Sequence, residues 1–453
     1  MSKKFTSYVC QNCGSETSQY FGRCIICKEW NTIIEEEKNK HSSRKSIRSN
    51  KEKSKSFSEI QIQEFSRVQS GFNELDRVLG GGFVNGSVVL LGGEPGIGKS
   101  TLVLQAAANI SIFKKVLYIT AEESLEQVKI RWERLDQKSS NLKIFAENEL
   151  SLIIEEIQKN LPTIAIIDSI QAIHSMEMES SCGSVSQVRS CSSELQKLAK
   201  ESNIIVLIIG HVTKDGNLAG PKTLEHLVDV VLNFEGDQIS SHRLLRSFKN
   251  RFGATLELGI FEMNDNGLKE VKNPSSSFTN RENIPGVATA ITNEGTRSFA
   301  VDIQALVNKS FYNNPRRTTT GVNLNRLHQI LAVIEKHIKL KLSDYDCYLA
   351  TAGGFEINDP SSDLGIAIAI VSSLTDKAPL CNTSFIGELG LSGQLRQTKD
   401  LISKIEESIR LGFENILIPK TRANLNDKFD RRINIIQISS INEAMNISMK
   451  NSL

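Results

Sequence analysis

Gly93-Glu94-Pro95-Gly96-Ile97-Gly98-Lys99-Ser100, with Thr101 behind it, is the stretch that decides the fold. It fits G-x-x-x-x-G-K-[ST] and lies between the apolar run Ser87-Val88-Val89-Leu90-Leu91 and a helix-like segment from Lys99 to about residue 112. The glycines and Pro95 permit a tight loop whose backbone N–H groups turn inward and, with the following helix N-terminus, cradle phosphates. Lys99 is expected to neutralise the β and γ oxygens of a nucleoside triphosphate, and the Ser100 hydroxyl to ligate Mg²⁺.

Outward from this loop, apolar runs alternate with helical periodicity. Strands are expected at 87–92, 115–120, 142–146, 163–168, 204–210 and 228–234, and helices near 99–112, 123–137, 149–159 and 184–202. Such alternation gives an α/β domain with a largely parallel sheet, expected over 65–273. Strands at about 242–249 and 255–263 have no helix between them and read as an antiparallel extension.

Carboxylates fall where strands end. Thr163-Ile164-Ala165-Ile166-Ile167-Asp168 is a buried strand closing on an acid that can meet Mg²⁺ through water, although an Asp there also suits a turn or helix cap. The strand at 115–120 runs into Ala121-Glu122-Glu123-Ser124, where one glutamate could orient or deprotonate an attacking water and the other complement a helix N-terminus. In Lys249-Asn250-Arg251-Phe252-Gly253, two cations spaced by one residue could jointly meet a phosphate.

The N-terminus carries Cys10-x-x-Cys13 and Cys24-x-x-Cys27, four of eight cysteines. Two such pairs suit one Zn²⁺ in a small ribbon over 1–34, with a redox dithiol as the alternative. The ion would supply the folding energy that so short a segment lacks. From Lys38 to Ser58 eight Lys/Arg face a single Glu and large apolar residues are almost absent, so 35–64 reads as a basic, flexible linker that could also attract a nucleic-acid backbone. Hydrophobic content of 39% and charged content of 23% are those of a soluble globular protein, and no apolar run reaches the ~18 residues that a membrane span needs. Met1-Ser2-Lys3-Lys4-Phe5 lacks a signal-like apolar core, which makes a cytoplasmic protein the expectation. Beyond Pro274 and Pro285 a second α/β domain is expected over 283–453, without a phosphate loop.

The order of these motifs, with Asp168-Ser169-Ile170-Gln171, Gly183-Ser184-Val185-Ser186-Gln187-Val188-Arg189 and Gly210-His211-Val212-Thr213-Lys214-Asp215-Gly216, resembles the bacterial RadA (Sms) family of DNA-repair proteins over essentially the whole chain. The resemblance implies a RecA-like ATPase core between a zinc ribbon and a Lon-protease-like domain. It further implies a homohexameric ring that uses ATP, Mg²⁺ and Zn²⁺ to drive branch migration on single-stranded and branched DNA alongside a RecA-type recombinase. It favours Glu122 over Glu123 as the catalytic glutamate and makes Lys249 and Arg251 fingers that reach a neighbouring subunit's γ-phosphate. Loops at 176–189 and 211–224, with Arg189, Lys214 and Lys222, would face the DNA channel. Lys309, Arg316, Arg317 and Arg326 are further candidates for DNA contact. Pro360-Ser361 matches the Lon nucleophile, but an ungapped count puts Ile402 at the lysine position, with Lys399 and Lys404 nearby. A domain without peptidase activity is therefore expected. The alternatives are an ATP-dependent serine peptidase and a non-translocating, ATP-switched recombinase scaffold.

Overall fold

The structure is a computed structural model that describes residues 5–449 apart from 11–14, 27, 31, 39–65, 140, 179, 211–221, 237–241, 256, 274, 280–282, 312–313, 423–424, 426–428 and 430–432. It divides into two compact units, Met1–Glu270 and Val271–Leu453.

At the N-terminus β1 (Phe5–Cys10) pairs antiparallel with β2 (Glu16–Thr17) and β3 (Ile33–Lys38). The third strand runs past residue 34, the expected end of the ribbon, because its pairing with β1 continues to Phe5↔Lys38. Next come β4 (Arg67–Val68), α1 (Asn73–Leu79), β5 (Phe83–Val84) and β6 (Val88–Gly93). The alternation follows as α2 (Lys99–Ser111), β7 (Val116–Thr120), α3 (Leu125–Arg134), β8 (Leu142–Ala146), α4 (Leu150–Asn160), β9 (Ile164–Asp168), α5 (Val185–Ser202), β10 (Ile205–Ile209) and α6 (Lys222–Leu227). It closes with β11 (Val230–Glu235), β12 (His242–Asn250), β13 (Leu258–Asn264) and β14 (Gly267–Glu270).

These strands form one sheet in the order β14-β13-β12-β11-β6-β10-β9-β7-β8. Pairing is parallel from β11 to β8 and antiparallel from β11 to β14, as the missing helix between the last runs requires. Strand periodicity sends the side chains of β6 alternately to two cores. Val89 and Leu91 join Leu102, Ala106 and Ile110 of α2, while Val88 and Leu90 join Ile153, Ile157 and Leu195 of α4 and α5. Each such side chain contributes about 1.5–3 kcal/mol on burial.

The second unit begins earlier than residue 283. Helix α7 (Ser275–Phe278) belongs to it, with Ser275 Oγ bonded to Glu407 at 2.7 Å and Phe278 packed on Phe355 at 5.1 Å. The elements β15 (Val287–Glu294), β16 (Arg297–Lys309), β17 (Arg317–Thr320), α8 (Leu324–Val333), β18 (Tyr345–Thr351), α9 (Asp363–Thr375) and β19 (Thr383–Phe385) follow. After them come β20 (Glu388–Leu389), β21 (Leu395–Arg396), α10 (Leu401–Arg410), β22 (Asn415–Pro419), β23 (Asn434–Ile438) and α11 (Ile441–Ser448). Its main sheet runs β17-β18-β16-β15-β19-β22-β23. Gly365 of α9 lies so close to β15 that an added Cβ would stand 2.8 Å from Ala290 Cβ.

Within the Lys249–Gly253 motif, Gly253 is a packing residue. A Cβ there would lie 2.9 Å from Gly80 Cα, and Gly80 itself closes α1 with a φ of +81°. Gly253→Ala is expected to destabilise the first unit by about 1–3 kcal/mol, read as a lower midpoint in denaturant unfolding.

Candidate functional site

Parallel pairing brings the C-terminal ends of β6, β7 and β9 to one edge of the sheet, where ligands bind in such folds. The phosphate loop leaves β6 there. Gly98 caps α2 with a φ of +112°, and a Cβ at Gly93 would fall 2.4 Å from the Phe234 carbonyl. Lys99 is buried, and its ammonium donates to the carbonyls of Gly93 and Glu94, each at 2.8 Å. Burial lowers its pKa from 10.5 to about 8, against the opposing pull of Asp168, Glu122 and Glu94. Thr101 is buried beneath the loop.

Asp168, at the end of β9, accepts a hydrogen bond from the fully buried Tyr118 hydroxyl and is hydrogen-bonded to Ser100. Burial raises its pKa, and these two hydroxyls offset part of the rise. Ser100 and Asp168 therefore converge where the expected Mg²⁺ would sit, and a hydroxyl beside a carboxylate fits that ion. The two glutamates part company after β7. Glu122 accepts a bond from Ser169, whereas Glu123 is paired with Arg131 at 2.6 Å. Lys99, Ser100, Glu122, Glu123 and Asp168 line one cavity of about 330 Å³ with Pro95, Gly96, Gly98, Thr101, Arg131 and Arg134. A larger hollow of about 690 Å³ around Asn109, Phe113 and Asn203 has no carboxylate in its lining, so the chemistry belongs to the smaller one.

Arg131 and Arg134 escaped the sequence reading because lone arginines on an amphipathic helix look like ordinary surface charges. Their spacing of three places both on one face of α3, but nothing in the sequence aims that face at the strand end. Arg243, equally unremarked, is buried and donates from Nε to the Ile97 carbonyl at 3.2 Å.

Lys249 and Arg251 lie elsewhere. Asn250 pairs with Val230, which pairs with Val89, whereas Phe234 pairs with Gly93. Four rungs of about 3.3 Å, or about 13 Å, therefore separate the motif from its own phosphate loop along the strands. The ammonium of Lys249 donates to the carbonyls of Glu225 at 2.5 Å and Val228 at 2.8 Å, so it is drawn in, while Arg251 is half exposed beside Asp229. Partial burial and then the Arg251 charge lower the Lys249 pKa.

Of the residues expected to face DNA, Arg189 is exposed on α5, Lys222 opens α6, and Lys214 lies outside the described residues. The stretch before α5 is shaped by buried Gln187, whose amide donates to Ser175 and Ser180 carbonyls at 3.3 and 3.0 Å. Arg316 is exposed, but Arg317 donates to the carbonyls of Tyr345 and Leu342, and Arg326 grips Asp363 through two nitrogens. These last two are structural ties. In the ribbon, Cys10 and Cys24 are buried in one cluster with Ile33, while Cys13 and Cys27 lie outside the described residues. Buried thiols from both pairs fit a shared ion.

In the second unit Lys404, one of the two lysines near the counted position Ile402, has its ammonium 2.8 Å from Asp359 Oδ2, and the Ser361 hydroxyl donates to the same oxygen at 2.7 Å. Burial alone would raise the Asp359 carboxyl, but Lys404 and the Ser361 N–H outweigh it and hold the pKa below its ordinary value.

The sheet order and the loop-centred cavity define a P-loop ATPase with a RecA-like core, joined to a zinc ribbon and a Lon-protease-like α/β domain. A family model described as AAA domain matches residues 54–217, a rubredoxin metal binding domain matches 8–35, and subunit ChlI of Mg-chelatase matches 328–422. The chain is 44% identical over 448 residues to the DNA repair protein RadA of Listeria monocytogenes, covering 98% of each. It is 42% identical over 458 residues to the DNA repair protein RadA of Bacillus subtilis, covering 99% of this chain and 100% of that one. Among solved structures, a KaiC-like protein of Pyrococcus horikoshii aligns with 46% of this chain and 99% of its own, at 20% identity and a TM-score of 0.39. The chain belongs to the RadA family of DNA-repair proteins.

The depressed Lys99 gives a pH signature. Below about pH 8 the folded, nucleotide-free protein holds a buried charge, a penalty relieved as pH rises from about 8 towards 10.5, where the unfolded chain binds the extra proton. Lys99→Met should raise the melting temperature at pH 7 by about 2–4 °C, with the difference from the native chain shrinking across that window in differential scanning calorimetry.

Proposed function

We propose that this chain is a DNA-stimulated ATPase whose homohexameric ring drives branch migration of recombination intermediates in the cytoplasm. The observation that carries this reading is the separation of Lys249 and Arg251 from their own phosphate loop. Cations that cannot reach the nucleotide of their own subunit are suited to the nucleotide of the next, which makes turnover depend on assembly.

In this reading the backbone of Gly93–Thr101 cradles the phosphates of ATP, and Lys99 exchanges two loop carbonyls for β and γ oxygens. Ser100 and Asp168 would hold Mg²⁺, which supplies charge neutralisation at the phosphates when bound. Glu122, held by Ser169, orients and deprotonates the attacking water, while the Glu123–Arg131 pair fixes the turn beside it. Arg251 and Lys249 from the neighbouring subunit meet the charge that develops on the transferring phosphoryl group. Cys10, Cys13, Cys24 and Cys27 would bind Zn²⁺ and close the ribbon. Arg189, Lys214 and Lys222 face single-stranded DNA, and Arg316 adds a contact from the second unit. These are backbone-directed charges without base selection, as a translocating motor needs. A RecA-type recombinase is the partner that would supply the strand-exchange intermediates.

The family membership, the nucleotide motifs and the single-edge cavity support ATP hydrolysis. The peptidase alternative is disfavoured by the buried Ser361 and by the pairing of Lys404 with Asp359, because a lysine general base must be neutral and free to accept the serine proton.

ATP hydrolysis should rise on adding single-stranded DNA and be lost in Lys99→Ala, and three-stranded junctions should be resolved by the native chain alone. An unchanged rate and no strand displacement with DNA would leave only the scaffold alternative. For the peptidase, a fluorophosphonate probe should fail to label the native chain, whereas labelling that disappears in Ser361→Ala would restore that alternative.

A further inference from the structure

The Arg251 side chain is not simply displayed at a strand end. Its Nη1 donates to Asp229 Oδ1 at 3.1 Å, and its backbone N–H donates to the Asp229 carbonyl at 3.2 Å. Asp229 is only 6% exposed at its side chain against 53% for Arg251, so one end of the guanidinium is anchored while the rest stays in solvent. The anchor is itself fixed. Asp229 Oδ2 accepts the Val88 N–H at 3.1 Å, and the Asp229 N–H donates to the Val88 carbonyl at 2.9 Å. Val88 is the first residue of β6, and the last is Gly93, where the phosphate loop begins.

We propose that Asp229 is the positioning residue of the Arg251 finger, and that β6 ties the finger a subunit offers its neighbour to that subunit's own phosphate loop. This rests on the reading that Arg251 acts on the neighbouring subunit's nucleotide. A guanidinium on a flexible stem would reach the transition state in many orientations, and a carboxylate bonded to one nitrogen removes most of them. Because the carboxylate is bonded to the strand rather than to a loop, movement of the phosphate loop on nucleotide binding displaces the finger with it. Asp229 touches no nucleotide.

Intersubunit complementation tests this. Asp229→Asn keeps an acceptor for the Val88 N–H but removes the charge from Arg251. Its turnover should fall about 100-fold with ATP affinity unchanged, less than the loss of about 1,000-fold or more for Arg251→Ala. The double variant should be no worse than Arg251→Ala alone, since both act on one group. Mixed with Glu122→Gln, which has an intact finger and a dead hydrolytic site, Asp229→Asn should regain DNA-stimulated turnover. Mixed with Arg251→Ala, it should not. If Arg251→Ala recovers with Glu122→Gln while Asp229→Asn stays silent, Asp229 serves its own site and the proposal is overturned. If neither recovers, the action of Arg251 across subunits fails, and the proposal with it. Full turnover by Asp229→Asn also overturns it. Should that variant not fold, Asp229→Glu, which keeps the charge and displaces it by one methylene, is expected to give the same complementation pattern, and its failure to do so is equally decisive.

Discussion

The parallel pairing of β6 with both β10 and β11 is the constraint on which the rest of the first unit depends. A parallel partner cannot be reached by a tight turn, so the chain returns through helices, and every β-to-α loop emerges at one edge. That is why Lys99, Glu122 and Asp168, which are far apart in sequence, share a cavity. The same constraint explains the exception. Once β12 runs antiparallel to β11, its far end returns to the opposite edge and takes Lys249 and Arg251 with it. A change of strand direction thus puts Lys249 and Arg251 at the edge opposite the cavity that Lys99, Arg131 and Arg134 line.

The cavity is electrostatically prepared for a polyanion. Lys99 sits among loop carbonyls in partial compensation for its burial, and the Asp168 carboxyl is pushed up by burial while Tyr118 and Ser100 hold it in place. Each of these groups is satisfied internally by a partner weaker than phosphate or a divalent ion. Exchange of partners on binding therefore spares these protein groups further desolvation, since they are already largely out of water.

Much of this was legible beforehand because the core strands are buried on both faces and read as continuous apolar runs, such as Val88–Leu91 and Ile164–Ile167. The loop sequence then fixed which strand end carries the site. What stayed hidden depends on three-dimensional direction. Nothing in Lys249-Asn250-Arg251 says that one cation turns into the carbonyls of Glu225 and Val228 while the other is held by Asp229. Nor does an arginine at 317 or 326 reveal that it ties carbonyls or a buried carboxylate rather than facing solvent. A charge is read from composition as a surface feature, and only its neighbours reveal when it is a tie. Between the junction markers Pro274 and Pro285 lies the short helix α7, whose Phe278 finds an aromatic partner in Phe355 that no local pattern announces.

Asp359, Ser361 and Lys404 show how one set of atoms supports two different outcomes. A serine and a lysine converging at the start of a helix suggest nucleophile and base. The carboxylate between them changes the arrangement, because it pairs with the lysine ammonium and accepts the serine hydroxyl as a donor. In the interior such a pair is costly to break, by about 3–5 kcal/mol when one partner is removed, whereas a working dyad needs its lysine unpaired. Here the ion pair also sits where β15, the loop before α9, and α10 meet, with the Ser361 hydroxyl 2.9 Å from the Ile291 carbonyl. The cluster fastens three elements of the second unit together, through interactions that a working dyad would have to give up.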